Sequence, residues 1–110
     1  MQEIDLTQPQ RLALENALGP MANAYDLIAV YGSRATGRAR PGSDVDLVVY
    51  GAGGSNVISA IRSAIEESDL SIFADILSYE DIDHLPLKLE IDEHAKPLLR
   101  GRLRHLEAHN

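Results

Sequence analysis

The sequence contains no cysteine, so it can form neither a disulfide framework nor a thiolate metal site, and it suits a reducing compartment. Basic residues are scarce: 10 lysines and arginines face 17 acidic residues, for a net charge of −7. That balance argues against nonspecific binding to nucleic acid, where attraction to phosphate dominates affinity. It favours a basic protein partner or metal ions, although surplus acidic charge also keeps a small domain soluble. Long apolar runs are missing, and no stretch is long enough to span a bilayer. No basic-then-apolar start reads as a signal peptide. The expected location is the cytoplasm, without membrane contact. Internal repeats and low-complexity tracts are absent too.

What is present is ordinary for a globular protein. A chain of 110 residues with 45% hydrophobic and 25% charged composition predicts one domain over residues 1–110. After a loose start over Met1 to Asp5, Thr7 and Gln10 form a capping box with Pro9 tolerated in the first turn. Leu14, Ala17, Leu18 and Met21 then mark the apolar face of a helix ending near Gly19 to Ala24. Leu27 to Tyr31 and Val45 to Tyr50 are runs of strand length. Ser55 is placed to cap a helix whose Val57, Ile58, Ile61, Ala64 and Ile65 share a face. The glycines before it, Gly51, Gly53 and Gly54, read as a connector, since no Lys-Ser/Thr pair follows them. Ser71 to Leu77 alternates as a strand, Ser78 with Asp81 suits a turn, and Pro86 opens a helix carrying Leu87, Leu89, Ile91 and Ala95.

The stretch from Val30 to Tyr50, VYGSRATGRARPGSDVDLVVY, organises the rest. A short helix over Ser33 to Arg38, entered through Gly32 and stopped near Gly37, offers backbone N–H groups to phosphate oxygens. Gly32 and Ser33 fit that role. Pro41, Gly42 and Ser43 form a turn, and the Ser43 hydroxyl either sets the angle of the next carboxylate or simply serves the turn. With a side-chain period of two, Asp44 and Asp46 face one way and Val45 and Leu47 the other. Paired carboxylates beside a phosphate-type turn are what magnesium-dependent phosphoryl or nucleotidyl transfer requires. Arg34, Arg38 and Arg40 put a basic cluster next to it. Asp75 falls among apolar neighbours on the later strand, where a carboxylate is costly unless paired, so it is either linked to a metal or held in a structural ion pair. Asp69 is a weaker candidate.

The run GSRATGRARPGSDVDL, with Gly-Ser, a short loop and Asp-x-Asp flanked by apolar strands, resembles the signature of the DNA polymerase beta type nucleotidyltransferases. Within that superfamily the chain is similar to the minimal nucleotidyltransferase domains that pair with HEPN toxins, and His94 to Leu99 resembles their last short element. It departs from many relatives in carrying Thr36 where they carry arginine, so any phosphate contact of that kind comes from Arg34 or Arg38 or is absent. The resemblance implies an α+β fold, a small mixed β-sheet flanked by helices. It implies Asp44, Asp46 and Asp75 as catalytic residues and ligands of two Mg2+ ions, with Gly32, Ser33, Arg34, Arg38 and Ser43 binding ATP. It further implies transfer of AMP to a tyrosine hydroxyl of a HEPN-family ribonuclease toxin, held in a hetero-oligomer with this chain and neutralised by the modification.

Two other functions remain in view. One is an inert antitoxin that acts by docking alone, for which two adjacent carboxylates have no use. The other is a transferase acting on a small molecule, which needs an acceptor-gripping domain this length does not provide. The tail, with Arg100, Arg102, Arg104, His105 and His109, is either a partner contact or a solvated end. His105 and His109 have the i, i+4 spacing of zinc ligands but lack a third ligand.

Overall fold

The fold is taken from a computed structural model that describes residues 4–102. The predicted zinc spacing of His105 and His109, and Arg104 of the tail, lie outside those residues.

Helix α1 (Gln8–Leu18) starts where the capping box places it. The Thr7 N–H donates to Gln10 Oε1 at 3.0 Å and the Gln10 N–H to Thr7 Oγ1 at 3.2 Å, satisfying two N–H groups the helix cannot. Gly19-Pro20 then tightens the chain into a 3-10 turn over Gly19–Ala24, kinked at Met21. The expected loose start is tied down at Asp5, whose N–H donates to the Arg34 carbonyl at 2.8 Å.

Strand β1 (Leu27–Tyr31) leads through Gly32 into the four-residue helix α2 (Ser33–Thr36). Gly37 closes α2 in the left-handed conformation at φ 80°, which glycine adopts without steric cost. Strand β2 (Val45–Tyr50), helix α3 (Ser55–Glu66) and strand β3 (Ala74–Ser78) follow. Helix α4 (Leu85–His94) opens at Pro86, and strand β4 (Lys96–Arg100) completes the order. Two predicted caps do not form: α3 is preceded by Gly54 with no side-chain cap at Ser55, and the Ser78 hydroxyl caps nothing.

The four strands make one mixed sheet in the order β3-β2-β1-β4. Pairings β1–β2 and β1–β4 are antiparallel, and β2–β3, joined by the α3 crossover, is parallel. One face packs under α1 and α3 through Leu14, Leu18, Ile28, Leu47, Ile61 and Ile76. The other carries a smaller cluster, Ala29, Tyr31, Val48 and Ile91, covered by α4. Both faces of β1 are therefore buried, as its unbroken apolar run predicts, and β2 is buried except at Asp46 and Tyr50, which are partly exposed. On α4, Ile91 is buried while Leu89 is 56% exposed. Among the described residues no helix is long and apolar enough to cross a membrane.

Candidate active site

The site forms on the α4 face of the sheet, at the end where β1 runs into α2. Register assembles it. Tyr31 of β1 pairs with Asp46 of β2, and Asp46 pairs with Asp75 of β3. Directly opposed residues of neighbouring strands project to the same side, so these three side chains form a row across the sheet. Asp44, exposed, stands one residue before β2 and flanks the row.

Gly32 gives the row its tight corner. Its φ of 75° lies in the left-handed region, and a Cβ added there would sit 2.5 Å from Asp46 Oδ2. The Asp46 carboxylate thus rests against bare backbone, which only glycine permits. From that corner α2 starts, and the Gly32 carbonyl accepts the N–H groups of Ala35 and Thr36 at 3.0 and 3.2 Å, while the first N–H groups of the turn are not consumed within the helix.

Burial raises the Asp46 pKa above the ordinary carboxylate value, and Asp75, Asp44 and Glu90 raise it further. Tyr31 is pushed up for the same reasons, burial first and then Asp46, Asp75 and Glu90. Asp75, expected among apolar neighbours, is exposed on this face, and it forms no ion pair among the described residues.

Of the five residues assigned to the nucleotide, Gly32, Ser33 and Arg38 line one open groove of about 460 Å³, together with Glu90, Glu93 and His94 of α4. Arg34 does not join them. Its guanidinium is buried and donates to the Ser43 carbonyl at 3.1 and 2.8 Å and to the Asp5 carbonyl at 2.7 Å. It staples the N-terminal segment and the loop before β2 to α2, its donors taken by these carbonyls and by Gln10 Oε1 at 3.5 Å. Ser43 is likewise engaged in the loop: its hydroxyl accepts the Arg40 N–H at 2.9 Å. Arg38 is the exposed arginine left at the groove.

Sequence reasoning missed Tyr31 and Glu90. Tyr31 had a signal, since pairing two strands through the Gly32 corner sets it opposite Asp46. Glu90 had none, because it belongs to a helix whose apolar residues keep no clear period.

Among the described residues no three histidine, cysteine or acidic side chains converge closely enough to cage a metal ion alone. The donor set nevertheless fits magnesium, which is held by one or two carboxylates with phosphate oxygens and water completing its shell. Asp46 with Asp75, and Asp44 beside them, supply hard oxygens, and the upward pull on Asp46 marks negative charge that a cation would relieve.

A search among curated proteins finds no significant match to this chain. Solved structures do share its fold. A minimal nucleotidyltransferase superposes with TM-score 0.62 at 29% identity, covering 79% of this chain and 90% of that one. A toxin-antitoxin structure with AMP-PNP superposes with TM-score 0.57 at 16% identity, covering 94% and 92%. The MntA-HepT toxin-antitoxin structure gives 0.53 at 16%, covering 87% and 74%. The family model for polymerase beta nucleotidyltransferases matches residues 20–101, which span the Gly-Ser corner, all three aspartates and the whole sheet, and the chain belongs to that family.

Proposed function

We propose that this protein is an antitoxin that transfers AMP from ATP to a tyrosine hydroxyl of a HEPN-family toxin and so neutralises it. The observation that carries the transferase reading is the in-register row of Asp46 and Asp75, with Asp46 lodged against Gly32. Similarity to toxin-antitoxin structures, one of them with AMP-PNP, supports the partner and the nucleotide.

In this reading the triphosphate lies in the groove, its oxygens meeting the free N–H groups at Gly32 and Ser33 and the Arg38 guanidinium. Two magnesium ions held by Asp44, Asp46 and Asp75 would supply Lewis acidity to the α-phosphate and lower the pKa of the acceptor hydroxyl. The acceptor oxygen forms a bond to the α-phosphorus, and the bond from that phosphorus to the bridging oxygen breaks. Pyrophosphate leaves with the electron pair, and Arg38 offsets its charge. The hydroxyl proton passes to the exposed Asp75 carboxylate and on to water. Asp46, fixed by the Gly32 corner, holds the centre of the row in place.

Docking without chemistry would leave the crowded row unexplained, since the raised Asp46 pKa is an electrostatic cost with no benefit to a pure binder. The test is incubation with α-labelled ATP, magnesium and a HEPN toxin. Label should move to the toxin, and the paired change Asp44→Ala, Asp46→Ala should stop it while the protein stays folded. Full toxin neutralisation by that double variant would make docking the function.

A further inference from the structure

The two edges of the sheet are built differently. At one edge, β4 carries Lys96 and Pro97 and pairs with β1 through a register shift between Ile28 and Ala29. Lysine, proline and bulges are the devices that stop an edge from recruiting another strand. At the other edge, β3 has none of them within Ala74–Ser78. The Phe73 carbonyl accepts the Val45 N–H at 2.9 Å, so by the period of two Phe73, Asp75 and Leu77 turn their backbone groups toward β2. Ala74 and Ile76 direct theirs outward, and among the described residues nothing pairs with them; the Ser78 N–H also faces outward, while its carbonyl caps the 3-10 turn over Tyr79–Asp81.

Hollows flank that edge. Two of about 350 and 190 Å³, both lined by Ile76, lie one toward each end of β3. Their charged lining is Glu66 and Asp75 at one end and Asp81 and Asp83 at the other, against Arg62 and His84. Phe73, 70% exposed, lines the smaller one. An acidic edge of strand length with unpaired backbone fits an extended basic segment. Its acidic rims disfavour a second copy of this chain, since pairing β3 with β3 would bring like charges together.

We propose that β3 is the docking strand for the protein acceptor: a basic, extended segment of the partner adds to the sheet as a fifth strand. The proposal rests on the transferase reading only for the purpose of the docking. A strand added there places one residue opposite Asp75 on the face that carries Asp46, about one strand spacing, roughly 5 Å, beyond Asp75. A hydroxyl on that residue is delivered to the carboxylate row by backbone pairing, with no separate acceptor domain.

The probe is a nine-residue peptide of alternating arginine and valine with a central tyrosine, titrated into the full-length ¹⁵N-labelled chain. The amide resonances of Ala74, Ile76 and Ser78 should shift and exchange with solvent about tenfold more slowly, and a counterpart with glutamate for arginine should leave them unmoved. Ala74→Pro and Ser78→Pro each remove one outward N–H and no ladder N–H, and Ser78 already sits at φ −90°. Each should weaken the peptide about tenfold while binding of ATP with magnesium persists. Should a proline variant fail to fold, the arginine-glutamate contrast and the exchange pattern of the unaltered chain still decide. No binding at millimolar peptide, shifts confined to another surface, or equal binding of the glutamate peptide overturns the proposal. So does a dimer of the chain whose protected amides are these three. Edge binding by the peptide, with no transfer of labelled AMP to the HEPN toxin, keeps the docking strand and overturns the transferase reading instead.

Discussion

Three residues at the corner between β1 and β2 have distinct duties that substitution can separate. Gly32→Ala puts a Cβ 2.5 Å from Asp46 Oδ2 at a φ of 75°, so it should cost about 1–2 kcal/mol and displace the carboxylate. Thermal melting should show the loss, and AMP transfer should fall with it. Asp46→Asn should separate stability from activity. Because burial and its neighbours raise the Asp46 pKa, the folded metal-free protein holds that proton more tightly than the unfolded chain. Its stabilising contribution is complete below the ordinary carboxylate pKa and is lost as pH rises through the raised value. Melting of the metal-free protein at neutral pH should therefore move up in Asp46→Asn, which should also flatten that part of the pH profile and be inactive in transfer. Arg34 and Arg38 divide structure from binding. Arg34→Met leaves the Ser43 and Asp5 carbonyls without their charged donor and should cost roughly 2–3 kcal/mol in denaturant unfolding. Arg38→Ala, at an exposed side chain, should leave the unfolding midpoint unmoved and raise KM for ATP.

At the scale of elements, local signals with a physical cause were legible. The Thr7–Gln10 box set the start of α1, and Thr7→Ala should lower stability by about 1 kcal/mol in denaturant titration, since it orphans the Gln10 N–H. Strands β1 and β2 were readable to the residue because they are mostly buried and their strand-length runs end at Gly32 and Gly51. The limits of β3 shifted, from Ser71–Leu77 to Ala74–Ser78, because alternation alone does not say where pairing with β2 begins. Asp75 lies on β3 but not among apolar neighbours: the strand alternates, and the side that carries Asp75 is the exposed side shared with Asp46. Arg34 was misassigned because a motif arginine beside a phosphate-type turn carries no mark of where its guanidinium points. Its partners, Asp5 and Ser43, are 29 and 9 residues away, and only the folded chain brings them together.

For the whole molecule, the design is a mixed sheet with one face given to the core under α1 and α3. The other is split between a small apolar patch under α4 and the acidic row. The patch is closed at the end away from the site by Tyr50 and Tyr79, stacked at 4.6 Å, with the Tyr79 hydroxyl donating to Asp92 at 2.6 Å. That hydrogen bond raises the Tyr79 pKa to about 12, and Asp92→Asn should bring its spectrophotometric titration back toward the ordinary tyrosine range. The most direct measurement of the central claim is calorimetric titration of a non-hydrolysable ATP analogue with and without magnesium, on the unaltered chain and on Asp46→Asn. Heat of binding should appear only for the unaltered chain with magnesium present. Equal binding by both proteins, or binding indifferent to magnesium, would contradict that claim.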